Sequence, residues 1–419
     1  MSTTTTPRST PPVKVAQPTV ASVLHDYVGR VRGGDIGSLP AILGLLVLCL
    51  IFSIARPAFF TAGNFANLFT QGAQVTLIAM GLVFVLLLGE IDLSAGFASG
   101  VCAAVLAILL TERHWPWYGA VLAALATGLV IGVVIGSLVA KVGIPSFVVT
   151  LAAFLAFQGL LLLLLKGGTN EPVRDPTILA LANKNMSPAL SWAMAIAGVL
   201  GYAVVQVLRV RSRAARGLAT DPIVIVAARI GAVALILFIA VGVLTQERSR
   251  NIVITSVKGV PYVVPLIAAL LIIWTFVLQR TAYGRHVYAV GGNKEAARRA
   301  GIPIDRIRIS VFMIASFMAA VGGIVAASRA NSVDPNTGGS NVLLYAVGAA
   351  VIGGTSLFGG KGRVVDAVIG GAVVAVIDNG MGLLGYSAGV KYIATGLILL
   401  LAASIDALSR RRAAATGNR

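Results

Sequence analysis

Twelve apolar runs, most of them near the length a helix needs to cross a bilayer, limit what this chain can fold into. A spanning helix takes roughly 20 apolar residues, because the hydrocarbon core holds no water to satisfy backbone N–H and C=O groups. The runs cover 39–55, 73–88, 97–111, 118–139, 146–165, 188–208, 222–245, 260–279, 309–328, 341–358, 364–382 and 390–407. The second, third and tenth are short or interrupted by glycine. The sequence therefore predicts an all-α, polytopic membrane bundle of about ten to twelve transmembrane helices. Composition points the same way: 11% of residues are charged, against roughly 25% in a soluble domain, and mean hydropathy is +0.91.

Residues 1–36 form a tail ahead of the first run. Its Thr- and Pro-rich beginning predicts disorder, and 20–32 fits either a short interfacial helix or more tail. No apolar stretch precedes residue 39, so no signal peptide is expected. Residues 37–408 then make one transmembrane domain, and 409–419 a basic C-terminal tail.

The formal charge is +18, and the basic residues lie between the apolar runs. Topology and the anionic headgroups of membrane lipid account for that excess, so nucleic acid is not an expected partner. With twelve crossings both termini share a side, and that side collects roughly twice the Lys and Arg of the other. The bias predicts cytoplasmic termini, anchored by Arg209, Arg211, Arg213 and Arg216 and by Arg410 to Arg412. Cys49 and Cys102 lie inside apolar runs and offer neither a disulfide framework nor metal spacing. His25, His114 and His286 fall outside every run, and neither a zinc-protease nor a hydrolase motif occurs. No catalytic residue, metal or cofactor is expected.

Candidate functional residues concentrate in a few places. In the connector 280–308, Gly291-Gly292-Asn293 supplies turn and N-cap chemistry. A short helix over Lys294–Ala300 follows, stopped by Gly301 with Pro303 beyond. Small Ala296 and Ala297 permit close approach to another protein, and Glu295 and Arg298 can make polar contacts at its rim. The other reading is a solvated basic loop that only fixes topology. In 89–96, Glu90 and Asp92 stand with Ser94 inside a long apolar stretch, where carboxylates are expensive to bury. Such a block breaks a helix, gates, contacts cargo, or simply sits in headgroup water.

Gly128, Gly132 and Gly136 mark a close-packing helix face, within the protomer or between subunits. Gln158, Asp378 and Asn379, polar groups within runs, either line a path for hydroxyl-rich cargo or bond to neighbouring helices. Asn170, Glu171, Arg174, Asp175 and Lys184 in one loop, and Arg329, Asn331, Asp334, Asn336 and Asn341 in another, share the side opposite the termini. Gly353–Gly362 is Gly-rich and contains Gly360-Lys361, but a phosphate-binding loop needs Ser or Thr after that Lys and Gly at position 355. Neither is present.

Four blocks resemble those of one family. Glu295-Ala296-Ala297 followed by Gly301 resembles the EAA…G coupling signature of ABC importer permeases. Gly89-Glu90-Ile91-Asp92-Leu93-Ser94-Ala95-Gly96, Pro145-Ser146-Phe147-Val148-Val149-Thr150-Leu151 and Gly353-Gly354-Thr355-Ser356-Leu357-Phe358-Gly359-Gly360-Lys361-Gly362 resemble segments of the carbohydrate-uptake permeases of the ribose and xylose class. Glu90 stands where many members carry Gly, and xylose-type permeases are similar in carrying Glu. The similarity spans roughly 40–408 and departs from the shorter ribose-type pattern near 209–258, where an apolar hairpin is added.

The resemblance implies a permease subunit of an ABC importer for a monosaccharide, a xylose-like pentose favoured, in a bacterial inner membrane. It implies a homodimer, two cytoplasmic ATPase subunits and a periplasmic binding protein. Glu295, Ala296, Ala297, Arg298 and Gly301 would couple the ATPase to the spans. Two alternatives stay open: an ion-coupled secondary transporter using Glu90, Asp92 or Asp378, and an ABC permease for another small polar solute such as a branched-chain amino acid.

Overall fold

The computed structural model describes residues 37–249 and 256–415, with Thr19, Ala21, Ser22, His25 and Gly29 from the segment before them. The expected disordered tail and the interfacial helix over 20–32 otherwise lie outside the described residues, as do 416–419 and the side chains of Arg410 to Arg412.

Each of the twelve apolar runs becomes a helix. They are α1 (Leu39–Ala55), α2 (Ala62–Leu87), α3 (Ala95–Thr111), α4 (Trp117–Ser137), α5 (Ser146–Leu164), α7 (Pro188–Ala215), α8 (Ile223–Leu244), α9 (Val263–Arg280), α12 (Ile304–Ala330), α13 (Ser340–Ile352), α14 (Val364–Leu383) and α15 (Ala388–Ala415). Three further α-helices are α6 (Pro176–Asn183), α10 (Ala282–Gly292) and α11 (Lys294–Arg299), and a 3-10 turn (Pro57–Phe60) and a π-helical turn (Leu138–Val142) complete the helical elements among the described residues. Strands β1 (Glu171–Pro172) and β2 (Ser332–Val333) form a two-residue antiparallel ribbon that pairs Glu171 with Val333. Among the described residues, eight helices are long and apolar enough to cross a membrane. α1, α3, α13 and the apolar part of α15 are shorter.

Burial sorts the helices. α2, α12 and α14 are largely enclosed, whereas α5, α7, α8 and α9 expose apolar side chains along most of their length, as lipid-facing helices do. α7 and α8 pack chiefly on each other, and of the segment 209–258 where an added hairpin is expected the described residues hold the end of α7, α8 and part of the following connector. The centre depends on small residues. A Cβ at Gly128, Gly132 or Gly136 would stand 2.7, 2.5 or 2.8 Å from backbone atoms of Ser316, Met313 or Ile309, so α4 lies against α12 backbone to backbone.

The bundle contains an inverted internal repeat. Gly81-Leu82-Val83, Gly89, Ile91-Asp92, Ser94 and Gly96 recur at a constant offset as Gly323-Ile324-Val325, Asn331, Val333-Asp334, Asn336 and Gly338. The conformations recur too. Gly89 and Asn331 end their helices in the left-handed region, at φ +71° and +58°. Asp92 Oδ1 accepts from Ser94 N at 2.8 Å, and Asp334 Oδ1 accepts from Asn336 N at 2.7 Å. α2 and α12 run antiparallel, since Arg308 in the first turns of α12 reaches Glu90 just past the end of α2. Packing is matched as well: α12 contacts α3 and α4 as α2 contacts α13 and α14. The local pseudo-twofold passes between Gly96 and Gly338, where a Cβ on either residue would meet the other's carbonyl oxygen.

Candidate functional site

Three of the sequence blocks and the 280–308 connector meet at one end of the bundle. α9 ends at Arg280, and Thr281 opens α10 by accepting Gly284 N through Oγ1 at 3.2 Å. α10 was not expected. It runs through Gly291 and Gly292, so these glycines are helical rather than a turn, and only Asn293 breaks the chain direction. The physical reason is contact. A side chain at Gly291 would overlap Leu87 O, and Gly360 N donates to that same oxygen at 2.8 Å. Gly359 (φ +84°) faces Gly291 O and Gly89 N. The 353–362 block is thus a close backbone plug between α2 and α10.

α10 is held further by two tyrosines. Tyr288 Oη donates to Gly362 O at 2.7 Å. Burial pushes the Tyr283 phenol up to about 12, so it stays protonated beside Ser310 Oγ at 2.8 Å. Ser310 Oγ donates to Ile307 O, which leaves Tyr283 as the donor of the pair.

α11 follows at once. Asn293 Oδ1 accepts Ala296 N at 2.9 Å, a standard N-cap, and Gly301 terminates the turn at φ +78°. Only Ala297 is buried, whereas Glu295, Ala296 and Arg298 are exposed. The Glu295–Arg298 pair, 3.1 Å apart, lies in water. The exposed short helix therefore hangs between α10 and α12.

Glu90 and Asp92 do different things. Arg308 donates to Glu90 Oε1 through Nε at 2.9 Å and Nη2 at 2.6 Å, and both side chains are mostly buried. Asp92 is buried, with Oδ1 taken by Ser94 N and Ser94 Oγ. Among the described residues its Oδ2 has no hydrogen-bond partner. The 145–151 block docks beside them: Ser146 Oγ accepts Ile91 N at 3.3 Å and Thr150 Oγ1 donates to Ile91 O at 3.2 Å.

The other predicted residues are dispersed. Asn379 exchanges amide hydrogen bonds with Asn64 at 2.9 Å and donates to Gln71 Oε1 at 3.0 Å, tying α14 to α2. Asp378 lies 3.3 Å from Lys391 Nζ. Gln158 is exposed on α5 and far from that cluster in the chain.

At the opposite end, the two loops predicted to share a side are joined by the β1–β2 ribbon. Thr111 Oγ1 donates to Pro172 O, and Asn183 Nδ2 donates to Ser328 O and to Asn331 Oδ1. Asp175 caps α6, and Asp334 holds the re-entering turn before α13. Lys166 pairs with Glu112, whereas Asn170, Arg174, Lys184, Asn336 and Asn341 are exposed.

Sequence reasoning missed Arg308, Tyr288 and Gly338. Arg308 carried no motif, although its place within the connector's basic run made a partner for Glu90 conceivable. Gly338 was findable from the repeated Ile/Val-Asp-x-Ser/Asn-x-Gly pattern. Among the described residues no cluster of His, Cys, Asp or Glu could hold a metal.

A family model described as the branched-chain amino acid transport system permease component matches residues 64–403. The chain is 37% identical over 376 residues to the xylose transport system permease protein of Escherichia coli (strain K12), covering 88% of this chain and 92% of the relative. It is 33% identical to the xylose transport system permease protein of Haemophilus influenzae, over 88% of this chain and 96% of that one. The ribose import permease protein of Escherichia coli (strain K12) is 30% identical over 87% and 92%. No solved structure matches the chain. Matching over most of its length a model that reaches from α2 into α15, the chain belongs to this family of transport-system permease components.

Proposed function

We propose that the chain is the membrane subunit of an ATP-driven ABC importer for a monosaccharide, a xylose-like pentose favoured. It works as a homodimer with two ATPase subunits on the α11 end, which faces the cytoplasm, and a periplasmic binding protein on the β-ribbon end. One observation carries this reading. α11 is capped at both ends and exposes Glu295, Ala296 and Arg298, while α10 and Arg308 wire its flanks into the α2–α12 centre. Phe358, 67% exposed on the neighbouring plug, adds the aromatic anchor a docking surface favours.

Closure of an ATPase on α11 would bias a two-state bundle through these contacts. Glu90, Asp92 and Ser94 then serve as positioning residues of the gate, since hydrogen bonds and Arg308 occupy them. Gln158, on an open face of α5, is the residue favoured to line the path between protomers, whereas Asn379 and the Asp378–Lys391 pair hold helices together. Gly128, Gly132 and Gly136 pack within the protomer. The preference for xylose follows the relatives named above.

The test is co-purification with the cognate ATPase, comparing wild type with Gly301→Pro. Proline cannot adopt φ +78°, so the helix end must distort while the spans stay intact. Loss of the ATPase by the variant alone, with binding-protein-dependent uptake of labelled xylose by wild type, is the expected result. Failure to capture any ATPase, while the chain alone moves solute on a proton gradient, would sink the proposal.

A further inference from the structure

A cleft of about 670 Å³ lies between α1, α2, α8, α9 and α14, within the roughly 300–1,000 Å³ of sites that take small molecules. It opens sideways: Ile239 on α8 is 58% exposed, Ala268 on α9 is exposed too, and both line it. Its mouth is polar, formed by the exposed Thr61, the N-cap of α2, and the exposed Gln246, just past α8. That is the end of α2 away from the plug, which meets Leu87. The foot of the cleft is at Thr76, near the middle of α2, with Leu271 and Val368 beside it. Between mouth and foot the lining is apolar and aromatic, with Phe65, Phe69 and Val243 among it. From Thr61 to Thr76 the helix rises roughly 22 Å at 1.5 Å per residue. One leaflet holds about 15 Å of hydrocarbon, half of the bilayer core, so the cleft runs from headgroup level to the midplane.

We propose that this cleft holds one acyl chain of a bilayer phospholipid, entering from the leaflet at the β-ribbon end with its headgroup beside Thr61 and Gln246. A hydroxyl-rich solute inside would lose its hydrogen bonds to water and gain none in return. Water itself would lack the two to four polar partners, roughly, that keep it buried. An acyl chain matches all three features of the cleft: the apolar body, the polar mouth and the length of one leaflet. The bound chain extends the contact of α8 with the bundle, which Val241 and Leu244 make against Phe65 and Phe69. The site does not depend on what the protein transports.

The test uses the full chain in vesicles of phosphatidylcholine with a diazirine near the end of one acyl chain. After irradiation, lipid adducts are mapped by mass spectrometry. Wild type should carry them at the foot of the cleft, on Leu271, Val368 and Ala372, and also on Leu163, 79% exposed on α5. Ala268→Phe fills the cleft from its open side and should lower the α14 adducts about tenfold, because a close-packed site leaves no room for the chain. Adducts on Leu163 should not change, which separates a filled cleft from a damaged fold. Ala268→Ser should behave as wild type. Ala372→Leu fills the cleft from the opposite wall and should lower the Leu271 and Val368 adducts likewise, which keeps the test open if Ala268→Phe does not fold. Absence of α14 adducts in wild type, or undiminished adducts in the filled variants, overturns the proposal. So does protection of these positions by free xylose, which would make the cleft a path for cargo. A bis-maleimide that joins Cys49, in the cleft lining, between two copies would give the cleft to a second chain and would also overturn it; Cys102 is fully buried and does not compete.

Discussion

Gly96 and Gly338 face each other across the pseudo-twofold, each with its missing side chain aimed at the other's carbonyl. A Cβ at Gly96 would stand 2.5 Å from Gly338 O, and one at Gly338 would come closer still to Gly96 O. Both neighbours are backbone, so neither can swing aside. Gly96→Ala should destabilise the bundle by about 1–3 kcal/mol, the usual cost of overpacking. Gly338→Ala should cost more, because φ +75° adds roughly 1–2 kcal/mol of left-handed strain. Thermal unfolding in detergent gives the ranking. Equal stability of both variants with wild type would mean that α3 and α13 separate freely here.

Glu90 and Arg308 break the symmetry of the repeat: Glu90 corresponds to Ser332 and Arg308 to Ala66. With side chains only 12% and 16% exposed on Arg308 and Glu90, removing one partner strands a charge. Glu90→Ala or Arg308→Ala alone should cost about 3–5 kcal/mol, and Glu90→Leu/Arg308→Met much less than the sum. A double-mutant cycle on thermal unfolding reads the coupling. Additive losses would show that the two residues act independently.

Periodicity and length were enough to find the spans, because in lipid every backbone group must be satisfied within its own helix. The helix boundaries were less accessible. α2 begins at Ala62, well before the apolar run at 73, because Asn64, Gln71 and Asn379 satisfy one another between helices. Polar residues there look like a loop in one dimension. α10 was hidden for the reverse reason: Gly291 and Gly292 suggest a turn, and only the proximity of Leu87 and Gly360 explains glycine inside a helix. Asn293 and Gly301 were legible because caps are local chemistry. The Glu90–Arg308 pair was not, since nothing local in either segment names the other.

Glu247, in the connector between α8 and α9, carries a pH dependence. The Ser256 hydroxyl, the N–H groups of Val257 and Ser249, and Lys258 hold its carboxyl down to about 2, from an ordinary 4.5. A depressed folded-state value means the stabilisation is complete above the unfolded-state pKa and disappears as pH falls toward the folded one. Glu247→Gln should therefore melt below wild type near neutral pH, and the gap should narrow between about pH 5 and pH 2. A gap independent of pH would show that the carboxylate charge plays no part in holding the connector.

Glu295 separates stability from coupling. Its pair with Arg298 is exposed at both ends, 62% for Arg298 and 65% for Glu295, and such i,i+3 pairs are worth about 0.2–0.5 kcal/mol. Glu295→Ala should leave the melting temperature within about one degree, because nothing inside the chain depends on it. Asn293→Ala removes the N-cap and should cost about 1 kcal/mol, which Asn293→Asp restores. If α11 docks an ATPase, both alanine variants should lower transport-coupled ATP hydrolysis at least tenfold. Glu295→Ala would do so with its stability intact, and Asn293→Asp would recover most of the rate. Full hydrolysis by Glu295→Ala would mean that the rim of α11 makes no contact that matters, and the docking surface would then have to be sought at Phe358.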